Sequence, residues 1–199
     1  MARLAAFLTF TLLGLVSFAS PQAEEIPADQ LGPGNVPAAA LQPPKGADKI
    51  AVVMEWLRPD GLRDVVGGIM IWDSPEGAVI RVVVTKFTPG FKGFHLLSHP
   101  NCDPYEVNGR LELGGAAGGP LDPANTSKHD GPFGDGFLGS MPKTEANADG
   151  WIFMSIVAPR LKVGDMHERA FVLREYDDNY KNKPLLGGSG GIASCGMSR

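Results

Sequence analysis

Glycine and proline interrupt this chain too often for any long helix to form. There are 26 glycines and 17 prolines in 199 residues; the first loosens the backbone and the second removes a donor and locks φ. An all-α fold is therefore excluded. Between the breaks lie short, β-branched runs: Ile50–Met54, Gly67–Trp72 and Ala78–Thr85, separated by Pro59-Asp60-Gly61 and Ser74-Pro75-Glu76-Gly77 turns. Residues Trp151–Val157 and Arg169–Arg174 repeat the pattern. The stretch Gly114–Asn147 has almost no periodicity and reads as a long loop, of the kind kept for function or pinned in place. An antiparallel β-sandwich or barrel with one or two long loops is predicted. A hydrophobic share of 43% supplies its core, and a net charge of -4 is the wrong sign for a nucleic-acid surface.

Residues 1–23 have a signal-peptide layout, with Arg3 ahead of an apolar run from Ala5 to Phe18 and small residues after it. That run is short for a bilayer span of roughly 20 residues, so export is favoured over an uncleaved anchor, leaving no membrane span after cleavage. Residues 24–48 carry five prolines among Ala, Gly and Gln and read as a linker. One domain is expected over 49–199. In an exported, periplasmic setting, the simplest use of the two cysteines, Cys102 and Cys195, is one disulfide, with two free thiols as the other reading. Neither lies in a Cys-x-x-Cys motif.

The motifs from Gly93 to Gly196 run in a characteristic order. They include Gly93-Phe94-His95, Asn101-Cys102-Asp103-Pro104, Gly118-Gly119, Lys128-His129, Gly134-Asp135-Gly136, Leu138-Gly139, Asp178-Asn179-Tyr180 and Ala193-Ser194-Cys195-Gly196. Their order and spacing resemble the copper/zinc superoxide dismutase family. The resemblance implies an eight-stranded Greek-key barrel, long metal-type and electrostatic loops, and pairing of Cys102 with Cys195.

It also implies seven metal-ligand positions, most of which are altered. Copper is held in this family by four imidazoles, and zinc by three imidazoles and an aspartate. His95 keeps the first copper position and His129 one zinc position. Leu97 replaces the second copper histidine, Pro120 the imidazole that bridges the metals, Phe137 a zinc histidine, Ser140 the zinc aspartate and Arg174 the last copper histidine. The family's guiding arginine is missing where Gly191-Ile192 stand. Asp178 corresponds to the aspartate that lies behind the metals and joins one copper histidine to one zinc histidine; here those would be His95 and His129, vestigial ligands tied by a carboxylate. His99 and His167 read as structural or surface histidines.

The residues present lead to three expectations. The chain is expected to have lost dismutation and to act as an exported binding or structural protein, with no cofactor and no catalytic residue. The alternatives are a dismutase with an altered copper site, or weak binding of copper or zinc by His95, His99, His129 and carboxylates such as Asp130 and Asp135. Its partner would be an unidentified protein or small molecule, with a homodimer as one option. Trp56, Trp72 and Trp151 are expected to pack in or cap the barrel. Asn125-Thr126-Ser127 fits a glycosylation pattern but gains little weight in a chain of bacterial type.

Overall fold

The computed structural model describes residues 42–107 and 109–199. The expected signal peptide over 1–23 and most of the linker over 24–48 lie outside the described residues. The strands are β1 (Lys49–Leu57), β2 (Arg63–Ser74), β3 (Gly77–Val84), β4 (Gly90–Lys92), β5 (Phe94–Leu97), β6 (Tyr105–Val107), β7 (Arg110–Glu112), β8 (Thr144–Ala146), β9 (Ile152–Ala158), β10 (Ala170–Arg174) and β11 (Ile192–Met197). Seven of them form one curled antiparallel sheet in the order β5-β10-β11-β1-β2-β3-β9. At one end, β4 continues the line of β5 and pairs with β8. A tight turn follows β8, closed by the Asn147 N–H donating to the Trp151 carbonyl, and leads into β9. The architecture is all-β as expected: β4 and β5 read as one interrupted strand, β8 extends the seven-stranded sheet through β4, and β6 and β7 form a separate pair.

The interruption falls at Gly93. Its N–H donates to the Tyr176 carbonyl, and its own carbonyl accepts from the Arg174 N–H. A Cβ here would stand 2.8 Å from Cβ of Ser189, so only glycine lets the loop after β10 approach this closely.

Strand alternation sorts side chains between two layers. Phe94 and Leu96 of β5 join Phe171 and Leu173 of β10 in the main core with Ile71, Ile80, Ile152 and Met166. The intervening residues point the other way. His95 and Leu97 are registered opposite Val172 and Ala170, on the side covered by the long loops. There Leu97, Ala170 and Val172 pack with Leu57, Ala117, Cys102 and Cys195 in a smaller second core. The disulfide between Cys102 and Cys195, with Cα atoms 5.9 Å apart, runs through it.

The long segment after Gly114 is less featureless than its composition suggests. It holds a 3-10 turn over Gly115–Ala117, a bridge between Leu97 and Pro120, another between His95 and Ser140, and strand β8. Trp72 is fully buried and Trp56 meets Phe87 edge-on at 5.2 Å. Trp151, in contrast to the expectation, is half exposed, because it sits at the turn between β8 and β9. No helix of the described residues is long and apolar enough to cross a membrane.

Candidate metal centre

Three buried groups converge beneath the long loops. Among the described residues, His95, His129 and Asp178 form a group whose ligating atoms all lie within 4.8 Å of one another. His95 comes from β5, His129 from the long segment between β7 and β8, and Asp178 from the loop after β10. Asp178 sits between the rings. Its Oδ1 accepts from His129 Nε2 at 2.7 Å, and its Oδ2 lies 3.0 Å from His95 Nε2. The His95 N–H is not aimed at that oxygen, which leaves His95 Nε2 without a well-directed partner although it is wholly buried.

The carboxylate is held from behind. The Tyr180 backbone N–H donates to Oδ1 at 2.8 Å. A Cβ on Gly187, which has φ of +66°, would lie 1.8 Å from the same oxygen, so glycine is required for the loop to close over Asp178. Phe137 stacks on the His129 ring at 5.8 Å and Tyr180 meets it edge-on at 6.1 Å.

The outer nitrogens of the two rings are also engaged. Arg174 donates from Nε to His95 Nδ1 at 3.3 Å and from Nη1 to the Gly190 carbonyl at 2.9 Å. Ser140 Oγ lies 3.0 Å from His129 Nδ1. Ser140 and Arg174, read from the sequence as replaced ligands, thus cap the two rings from the sides away from Asp178.

Burial dominates the electrostatics. It pushes His95 down to about 4, assisted by the positive charge of Arg174 and opposed by Asp178, so the ring is neutral at neutral pH. Burial also draws Arg174 down to about 10, where it remains a cation. Asp178 is burdened by desolvation, yet the hydrogen bond from His129 and the nearby His95 ring outweigh it and hold the carboxyl below the usual range. Burial raises Tyr180 to about 12. The site is a neutral His95 held between a buried cation and a buried anion.

Other sequence candidates fall elsewhere. Leu97 is in the second core, and a backbone bridge joins it to Pro120. His167 lies at the surface with Nδ1 3.3 Å from the Arg199 carbonyl, and His99 packs beside Gly118. Asp130 is paired with Lys128 at 2.7 Å and accepts from the Asp135 N–H. Neither these carboxylates nor His99 belongs to the buried group. Sequence reasoning missed the Gly190 carbonyl, Gly187 and the Tyr180 ring; only Tyr180 left a signal, as part of the Asp178-Asn179-Tyr180 motif.

A family model for copper/zinc superoxide dismutase (SODC) matches residues 65–198. The chain belongs to the copper/zinc superoxide dismutase family. The superoxide dismutase [Cu-Zn] of Brucella abortus biovar 1 (strain 9-941) is 40% identical over 156 residues, 77% of this chain and 90% of the relative. Among solved structures, the Cu/Zn superoxide dismutase from Brucella abortus matches with a TM-score of 0.74 at 39% identity, covering 76% of this chain and 100% of that one. The solution structure of the monomeric copper, zinc superoxide dismutase from Salmonella enterica matches with a TM-score of 0.69 at 32% identity, over 76% of this chain and 100% of that one.

Family membership corrects the expectation that no cofactor is involved. The relatives are named copper/zinc enzymes, and this chain retains a buried group of two imidazoles and a carboxylate. That expectation counted ligands position by position and assigned Asp178 only a supporting role, whereas its oxygens stand within reach of both rings. The donor set does not fit the ordinary pair of metals, because Leu97, Pro120 and Phe137 offer no donor atom. It does fit one ion: imidazoles and a carboxylate are ligands that zinc and copper accept.

Proposed function

We propose that this chain is an exported member of the family with an altered, single-ion site, which binds one copper or zinc ion weakly at His95, His129 and Asp178. The observation that carries this reading is the convergence of these three buried groups within 4.8 Å. Weak affinity follows from the spacing. The nitrogen–oxygen distances of 2.7–3.0 Å are those of hydrogen bonds, whereas two ligands on a tetrahedral zinc stand about 3.4 Å apart, given bonds of about 2.0–2.2 Å. The carboxylate has to retreat and the ring protons that face it have to move to the far ring nitrogens before an ion enters, which costs affinity. A bound copper ion would supply one-electron chemistry and a zinc ion only charge.

Dismutation is the second reading, favoured by the names of the relatives. Against it stand the burial of all three donors and a guanidinium beside His95 where an open coordination position would be needed. Mature protein, dialysed against chelator and titrated with Zn(II) or Cu(II) by calorimetry, is expected to take up one ion per chain, and Asp178→Asn to abolish uptake. Tight uptake of two ions with superoxide removal beyond free-copper controls would overturn the proposal in favour of the second reading. Failure to take up either metal would overturn it outright.

A further inference from the structure

We infer that Arg174 is the residue that limits metal affinity at this site, by fixing the tautomer of His95; the inference rests on the single-ion reading above. A guanidinium has only donors to offer. Because Arg174 Nε points at His95 Nδ1 from 3.3 Å, that nitrogen must accept, and the single proton of the neutral ring is left on Nε2, on the Asp178 side. For His95 to ligate an ion beside Asp178, the Nε2 proton must go. Its only other place on the ring is Nδ1, where two N–H groups would then face each other. The opposite nitrogen is no easier to use, since the guanidinium already occupies the space in front of it.

His129 is differently placed. The group beside its Nδ1 is the Ser140 hydroxyl, 3.0 Å away, which donates or accepts as required. A proton moved to Nδ1 of His129 therefore finds a partner, and one moved to Nδ1 of His95 finds a competing donor. The two rings, both buried and both beside Asp178, differ in their freedom to change tautomer. The positive charge adds to the effect, because a second cation entering beside His95 meets the guanidinium through one ring. Arg174 is anchored at its far end by the Gly190 carbonyl, so it leaves only by breaking that bond too. The geometry makes Arg174 an internal competitor for the ion.

The test uses the full mature chain, the Arg174→Gln and Arg174→Met variants, and zinc alone as the probe. Glutamine can accept a proton from Nδ1 through its carbonyl, and methionine removes both donor and charge. Each variant is expected to bind Zn(II) at least about tenfold more tightly than the parent by competition calorimetry. In long-range ¹H–¹⁵N spectra the metal-free parent is expected to hold His95 with its proton on Nε2, and Arg174→Gln to populate the Nδ1–H form. Equal zinc affinity in parent and folded variants would overturn the inference while leaving the single-ion site intact. Zinc binding by Arg174→Gln but not by the parent would defeat the single-ion reading of the natural chain and support the inference. No binding by any of the three defeats both. Should the variants fail to fold, the parent spectrum decides: a proton on His95 Nδ1 overturns the inference.

Discussion

Arg174 and Asp178 address opposite nitrogens of one histidine. The guanidinium stands 3.3 Å from His95 Nδ1 and the carboxylate 3.0 Å from His95 Nε2. The two charges, both nearly excluded from water, compensate one another across a neutral ring. Such an arrangement contributes little while it is whole, but leaves an uncompensated buried charge when one member is lost.

Replacing Asp178 by Ala should therefore be costly. The change strands the Arg174 guanidinium and removes acceptors from both rings, so a loss of about 3–5 kcal/mol is expected. For a domain of this size that corresponds to a fall in Tm of at least about 6 °C. An unchanged melting temperature would show that Asp178 does not tie the rings together.

Acid should weaken the fold in two stages. An unfolded histidine takes up a proton near pH 6.5, whereas His95 in the fold does so only near about 4. Between those values the unfolded chain binds more protons, so stability declines as pH falls from 6.5 to 4, by about 3 kcal/mol in all. Asp178, held below the ordinary carboxylate range, adds stability that is complete above its unfolded value and is lost as pH falls further. Urea unfolding across pH 4–7 should show the first stage, and His95→Gln should flatten it. A parent protein with constant stability over that window would contradict the burial of a neutral His95.

The disulfide should matter more than its single bond suggests. Cys102 and Cys195 are 93 residues apart and join the loop after β5 to strand β11, in the interior of the sheet. On the chain-entropy model, closing such a loop stabilises by about 4–5 kcal/mol. Reduction is expected to lower the urea midpoint accordingly, and intact mass of unreduced protein should lack the two thiol hydrogens. Two thiols that alkylate without reduction would refute the pairing.

Much of the fold was legible because β-branched residues crowd into β1, β2, β3 and β9, and Phe171, Val172 and Leu173 make an apolar run of β10. Strands β4 and β8 were not, since each has three residues and exists through its partner rather than through its own pattern. Strand β11 reads Ile-Ala-Ser-Cys-Gly-Met, poor in β-branched residues, and is a strand because β10 and β1 flank it. At the site, the motifs led to His95, His129 and Asp178. What the motifs hid was the new use of replaced positions. Ser140 and Arg174 read as losses in one dimension, yet in space each caps a ring nitrogen. The Gly190 carbonyl and Gly187 act through loop closure, which leaves no pattern in the sequence.

Leu97→His tests whether restoring one ligand is enough to recover tighter metal binding. Leu97 is fully buried among Cys102, Ala117, Ala170, Val172 and Cys195, with Pro120 bridged to its backbone. An imidazole there finds no acceptor in that apolar group and should cost about 1–3 kcal/mol. Copper affinity should not rise in this single variant, because the guanidinium of Arg174 still occupies the space before His95 Nδ1. With Arg174→His added, the competing cation goes and a further imidazole arrives, so Leu97→His, inert alone, should add to the affinity gained at position 174 in Cu(II) titrations, a strongly non-additive pair. If Leu97→His alone raised copper affinity tenfold, the space before His95 would have to be open in the parent, contrary to the position of Arg174.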